Sequence, residues 1–411
     1  MGNPIRIGNR EDLIFILSEA STLEHMVMCE YLFAAFSLKR GTGEGLTSDQ
    51  LKTVTKWERV ISDVATQEML HLSLVNNMLT AIGAAPYFGR PNFPHPSNYF
   101  PPSIQLVLLP FGEEALRQFL YLERPDGMAI EGVPGWEAIG ALPEKERGTG
   151  IVPEQQYFST IGNLYRGIEN GFSNLVKKYG EKRVFIGGSE AQATSEYFGW
   201  PKLTPVTDLK TATEAVEAIV TEGEGARGDW TNAHFGKFLG ILNEYMEMKK
   251  QNADFAPARP VVPAYVRPPT DAEAQITDPL TGGVADLFNA TYSVVLTVLS
   301  RFFTRGDATT EELRKLSDAA VQLMTNIIKP LGVLLTTLPV GHHLPGITAG
   351  PSFEMYRRPY LLPRREEARL ILHERLTELS DDAARLAGSP SVPRELRVIE
   401  VTLRELAIFL S

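Results

Sequence analysis

Apolar residues recur with helical spacing over most of this chain. From Lys56 to Ile82 they fall at Ile61, Val64/Ala65, Leu72, Val75, Met78/Leu79 and Ile82, one buried face of a long helix. An earlier helix is predicted over Glu11–Lys39, with a stripe of Leu13, Ile16/Leu17, Ala20, Val27/Met28, Tyr31 and Leu38. It is apolar on most sides between Met26 and Phe36, which marks a central helix. Gly41, Gly43 and Gly45 end it, and Thr47 or Ser48 caps the next. So short a connection makes the two helices an antiparallel hairpin. From Gly83 to Pro153 the periodicity fails and prolines recur, with a short strand expected in Ser103–Leu109 and a short helix in Glu113–Leu122. Helical spacing returns over Glu154–Lys178. Asp208 caps a further helix through Val220, GEGARGDW interrupts it, and Thr231 restarts it to Met248. Residues 253–281 are Pro-rich and aperiodic and read as a linker. Helices follow over Ala285–Phe303, Thr310–Leu335, Glu366–Ala387 and Arg394–Leu410. The pattern therefore predicts an all-α protein. A bundle occupies 1–252 with an insertion at 83–153, and a C-terminal helical region at 282–411 packs on it.

Two polar residues interrupt the apolar stripe of the second helix. Glu68 and His71 lie three residues apart on that stripe, so their side chains stand one above the other. Glu24 sits on the stripe of the first helix, and in an antiparallel hairpin its level is close to theirs. A carboxylate buried without a partner is too costly to keep, and a metal ion is the commonest reason to keep several together. His234, just after the GEGARGDW break, and Glu222 or Glu224, at the broken helix, complete the set of candidate ligands. Carboxylate–histidine sets suit iron, manganese or zinc. One metal with an open position and a two-metal centre both fit the ligand count. Asn163 and Glu169 are the polar core candidates of the third long helix. His25 points away from Glu24 and reads as a surface or supporting group. Glu30 reads as a structural carboxylate, Cys29 as core, and the His342–His343 pair as loop residues.

Composition narrows the function classes. The chain has 411 residues, 43% hydrophobic and 22% charged, as in a globular protein with a large core. A net charge of −10 without a basic stripe excludes the usual footprint of a nucleic-acid binder. With one cysteine, an intrachain disulfide is impossible and metal ligands must be nitrogen and oxygen. No apolar run reaches the ~20 residues of a membrane span, and no signal core opens the sequence, so a cytoplasmic location is expected. Nucleophile-elbow, phosphate-loop and dinucleotide motifs are absent.

Five segments in order, TLEHMVMCEYLFAAFSLK, QEMLHLSLVNNMLTAIGAAP, IGNLYRGIENGF, IVTEGEGARGDWTNAHFGKF and PLGVLLTTLPVGHHLPGITAGPSFE, resemble the ferritin-like family named for iminophenyl-pyruvate dimer synthase. That family includes bacterial enzymes of secondary metabolism that couple two tryptophan-derived imines towards violacein, rebeccamycin and staurosporine. The resemblance implies a ferritin-like four-helix bundle with a metal, iron first, between its helices. It implies Glu24, Glu68, His71 and His234 as ligands and Glu224 as the carboxylate of the last helix pair, with Glu169 and Glu222 as secondary candidates. The function expected is metal-dependent oxidoreduction of a small organic, amino-acid-derived molecule. The alternative is a ferritin-like metal-binding protein without turnover. Arg227, at the break, is expected to meet a substrate anion beneath the insertion, and a homodimer is the expected assembly.

Overall fold

The computed structural model describes residues 5–96, 105–128, 152–225, 229–271, 273–388 and 393–411, and the fold is mostly helical. The expected roof of the insertion and Arg227 fall in part or wholly outside those residues. In chain order the helices are α1 (Arg10–Ser37), α2 (Ser48–Ala81), α3 (Glu113–Leu122), α4 (Ile161–Tyr179), α5 (Glu181–Val184), α6 (Ser195–Phe198), α7 (Leu209–Gly223) and α8 (His234–Gln251). The C-terminal half adds α9 (Pro279–Thr304), α10 (Thr310–Leu323), α11 (Lys329–Leu335), α12 (Arg365–Ala387) and α13 (Glu395–Leu410).

The hairpin of α1 and α2 is the widest helix contact within the bundle, as the short glycine-rich connection requires. Asn9 caps α1 and Thr47 caps α2, each accepting from the backbone N–H three residues on. α1 is buried on nearly all sides from Leu23 to Ser37, consistent with its lack of a polar face.

The other two rods of the bundle are each broken in the middle. α3 packs on α8, and α4 packs on α7. α3 starts where the Phe111 N–H donates to Ser37 Oγ at 2.8 Å, at the C-terminal end of α1. α4 ends where Lys178 Nζ donates to the Gly8 carbonyl at 2.9 Å, at the opposite end. α3 and α4 thus form one interrupted rod, and α7 and α8 form another running the opposite way. The periodicity predicts the third rod as a single helix from Glu154. It begins instead at Ile161, where Thr160 caps it, and its first half is α3 from the insertion.

The Pro-rich stretch at 253–281 is not a free linker. It carries β3 (Val261–Tyr265) and β4 (Ala274–Gln275), and β3 pairs in parallel with both β4 and β5 (Thr348–Gly350). β1 (His95–Pro96) and β2 (Gln105–Leu106) form a small antiparallel pair. Arg259 fixes this stretch in place. Its guanidinium donates to the Glu44 carboxylate at 2.6 and 3.1 Å, to Thr336 Oγ1 at 2.9 Å and to the Phe36 carbonyl at 3.3 Å. Proline removes donors but does not prevent an extended strand from pairing at its other positions.

The C-terminal helices close over α1. α11 approaches it so closely that a Cβ on Gly332 would lie 2.4 Å from the Phe36 ring. α9 is the only described helix long and apolar enough to cross a membrane, and 67% of its apolar window is packed inside the protein. One hydrophobic core runs through both halves.

Two outcomes follow from this shared core. Ending the chain near Gln251 is expected to expose the covered face of α1, so size-exclusion chromatography should show aggregation or a melting transition far below that of the full chain. Replacing Arg259 by Met should lower the unfolding free energy by about 1–2 kcal/mol in denaturant titration, because the half-buried Glu44 carboxylate and the buried Thr336 hydroxyl lose a charged donor.

Candidate metal centre

Six side chains converge where the two rods break. Glu24 comes from α1, and Glu68 and His71 come from α2. Glu123 stands just past the end of α3, Glu222 near the end of α7, and His234 at the first residue of α8. All six are buried. The helix ends explain how four rods can supply this many ligands. A continuous helix offers one or two side chains at a given level, whereas a broken one lets both stumps aim inward.

The donor atoms form two groups that share Glu68. Glu24, Glu68 and His71 make one; Glu68, Glu123 and His234 make the other, and within each group the donor atoms lie within 4.8 Å of one another. Glu68 Oε2 is 2.9 Å from His71 Nδ1, and Glu68 Oε1 is 2.9 Å from His234 Nδ1. Glu24 lies 3.6 Å from His71 Nδ1, and Glu123 lies 3.6 Å from His234 Nδ1. The two imidazole rings stack with centroids 5.5 Å apart.

These residues fit a metal ion better than they fit each other. Both ring nitrogens of His234 and Glu68 Oε1 are buried without a hydrogen bond. Their 2.9 Å separation is short enough for one, so it is direction that fails. Donors that face a shared point instead of each other are the arrangement of co-ligands. Atoms bound to one ion at about 2.0–2.2 Å sit roughly 3 Å apart when adjacent. With every ligand deprotonated, four buried carboxylates face two neutral imidazoles and the single charge of Lys202, a surplus that a divalent cation would offset.

The surrounding groups hold the carboxylates in place. The Tyr165 hydroxyl donates to Glu24 Oε1 at 2.5 Å, and the Tyr31 hydroxyl donates to Glu123 Oε1 at 2.5 Å. Each donor group therefore has one buried tyrosine orienting its outer carboxylate. Glu222 accepts from Lys202 Nζ at 2.6 Å and lies 2.9 Å from His71 Nε2. Glu222 therefore meets the ring nitrogen opposite the one facing Glu68, and it fixes the imidazole's orientation.

Without a metal the cluster is electrostatically divided. Burial raises Glu24 to about 8, with the His71 hydrogen bond opposing it. Burial also pushes Glu68 up, but the charges of His234 and His71 outweigh it and hold Glu68 well below the usual carboxylate range. Burial pushes both histidines down. Facing carboxylates outweigh it, Glu68 foremost, so His71 ends well above its ordinary value and His234 at about 9. Glu222 falls to about 2, because the His71 and Lys202 contacts exceed its burial cost.

The structure separates the residues proposed from sequence. It brings together Glu24, Glu68, His71, His234 and Glu222. Glu224 is placed elsewhere: its carboxylate accepts from the Gly162 N–H at 2.7 Å, at the start of α4. A side chain at Gly162 would collide with it, since a Cβ there would lie 2.3 Å from Glu224 Oε1. Two residues along a helix turn the side chain by ~200°, so Glu222 faces the cluster and Glu224 does not. Glu169 is half-buried and pairs with Arg166 at 3.3 Å, away from the site. Asn163 stands in the first turn of α4, and His342 and His343 are exposed. His25 is fully buried, not at the surface, and meets the Tyr292 hydroxyl. Glu123 is the residue that periodicity does not reveal. Its signal is the YLERP sequence, where a charged pair follows an amphipathic helix too short to look like a bundle rod.

A ferritin-like family model matches residues 17–243, more than half of the chain. The chain belongs to the ferritin-like family. It is 27% identical to the dichlorochromopyrrolate synthase of Lentzea aerocolonigenes, over 95% of this chain and 40% of that one. It is 26% identical to the 2-imino-3-(indol-3-yl)propanoate dimerase of Chromobacterium violaceum, over 85% of this chain and 34% of that one. The chain thus spans well under half the length of these curated relatives. The crystal structure of a ferritin-like protein from Caulobacter vibrioides superposes with a TM-score of 0.54 at 19% identity, covering 84% of this chain and 99% of that one. That likeness shows the shared fold. The match to these relatives extends well beyond the region of the family model.

The charge balance predicts how the metal-free protein responds to pH. Glu24 and His234 both bind a proton more tightly folded than unfolded, so stability falls as pH rises through the interval from about 4.5 to about 9. Glu222 acts in the opposite sense, and its contribution is lost as pH falls from about 4.5 through about 2. Chelated protein should therefore melt at a lower temperature at pH 9 than at pH 6 by calorimetry. Added divalent metal should remove that difference, because ligands release their protons on binding.

Proposed function

We propose that this chain is a metal-dependent oxidoreductase, with iron as the metal, acting on a small organic molecule derived from an amino acid. The observation that carries the reading is the sharing of Glu68 between two buried carboxylate–histidine groups. Two adjacent nitrogen–oxygen sets that share a carboxylate can hold a redox-active ion away from bulk water, which is what an oxidoreductase needs. The names of the two relatives, a chromopyrrolate-forming synthase and an indolyl-imine dimerase, support a reaction on an aromatic amino-acid-derived substrate.

Glu24, Glu68, His71, Glu123 and His234 would hold the metal, and a redox-active ion there would supply electron transfer to dioxygen or peroxide. The chain's own residues have separable tasks. Glu68 bridges the two groups and ties their charges together. Tyr31 and Tyr165 hold the outer carboxylates by hydroxyl donation. Glu222 keeps the His71 ring from turning, and Lys202 balances the charge of Glu222. Burial of the cluster excludes bulk water, which strengthens each of these contacts.

Metal analysis of the purified protein should find iron. Absorption spectra recorded before and after oxygen reaches the reduced protein should differ, whereas identical spectra with zinc as the bound metal would point to binding without turnover. His71→Ala and Glu123→Gln should each lower metal occupancy at neutral pH by at least about tenfold. Glu224→Gln should leave it unchanged. Loss of metal in that last variant alone would overturn the ligand assignment.

A further inference from the structure

A second site lies on another face of α1 and α2. Between the bundle and the C-terminal helices there is a cavity of ≈ 270 Å³, and none of its lining residues belongs to the carboxylate–histidine cluster. We propose that this cavity binds a small aromatic carboxylic acid of one or two fused rings.

The lining mixes rings with Leu, Val and Ile side chains, and its rings and thioethers favour an aromatic body. Phe88, Phe198, Trp200, Tyr292 and Phe353 present rings to the space. Met28, Met69 and Met324 add thioethers, which pack favourably against ring edges and adapt to irregular shapes. The volume of ≈ 270 Å³ lies just below the ~300–1,000 Å³ usual for small-molecule sites, which suits a compact bicycle better than a larger molecule.

The mouth argues for an acid. Thr66 and Thr325 are exposed, and Ser62 and Lys329 beside them are half-buried, so most of the polar lining gathers at the solvent side, with Ser73 buried deeper. Lys329 Nζ lies 2.9 Å from Glu58, and Glu58 is also 3.4 Å from Arg40. Two cations thus share one carboxylate, so Glu58 does not cancel the charge of Lys329 in full. A ligand carboxylate there keeps its head hydrated while its rings enter the apolar space.

The wall is also shaped. Between α10 and α11 the chain widens into a π-turn over Met324–Ile328. Pro330 gives the physical cause: in an α register it would crowd the Asn326 carbonyl and leave it without a donor. Three of the five π-turn residues, Met324, Thr325 and Ile328, line the cavity. Such bulges recur at functional sites because they re-aim side chains that a regular helix would direct elsewhere.

Titration calorimetry with 1-naphthylacetate, together with tryptophan emission, tests the assignment. The full chain should bind one equivalent, and the emission change should disappear in Trp200→Phe. Thr66→Trp, an exposed position at the mouth, should block binding without touching the core, and a melting curve confirms that the variant folds. Lys329→Gln should weaken 1-naphthylacetate about fivefold while leaving neutral 2-naphthol unchanged. All of these should hold equally for chelated and metal-loaded protein, so failure here is distinct from failure of the metal reading. Unchanged affinity in folded Thr66→Trp, or no binding by wild type at millimolar probe, would overturn the site. Tighter binding of decanoate than of 1-naphthylacetate would overturn its aromatic character.

Discussion

Everything near the centre of this protein depends on Glu68. It is a buried carboxylate whose two oxygens each face an imidazole at 2.9 Å. An anion in that position cannot stand without partners, and the partners it has are themselves buried and need others. His71 requires Glu24 and Glu222, His234 requires Glu123, and the outer carboxylates take hydroxyls from Tyr165 and Tyr31. The chain of requirement reaches all four rods of the bundle. It explains why two of those rods are interrupted at one level, since helix ends deliver side chains that a continuous helix would direct away.

The C-terminal half answers a different need. α1 has almost no polar face, so it must be covered on the side away from α2. α9, α11 and the small sheet around β3 do this, and Arg259 pins the sheet to the end of α1 through Glu44 and the Phe36 carbonyl. The covering is not perfectly complementary. Where the π-turn meets α2, an apolar cavity remains beside a mouth that carries Lys329. The two halves of the protein thus enclose two chemically opposite spaces, one rich in carboxylates and one rich in rings, separated by α1 and α2.

Much of this architecture is legible in the order of apolar and polar residues. Helical periodicity places α1, α2, α7, α9, α12 and α13 to within a few residues, apart from the first turns of α9. Apolar stripes interrupted by Glu24, Glu68 and His71 point to one buried polar site, and the structure gathers those three side chains. Thr310–Leu335 is legible as one rod, though its π-turn is not. The Pro-rich stretch misleads because proline density suggests an unstructured linker, whereas strand pairing needs donors at only some positions. Glu222 and Glu224 are hard to rank because the break that begins between them hides the helix phase.

The sequence by itself determined which segments are helical and which faces of α1 and α2 are buried, because local periodicity carries that information. It also determined that buried carboxylates and histidines share a core. Only the tertiary structure decided that the third rod is α3 joined in space to α4, and that Glu123 from the insertion supplies its carboxylate. A broken rod has no continuous period for a sequence to display. Which side of a helix end a side chain faces depends on what packs across from it, and for Glu123, Glu222 and Glu224 that partner lies tens of residues away.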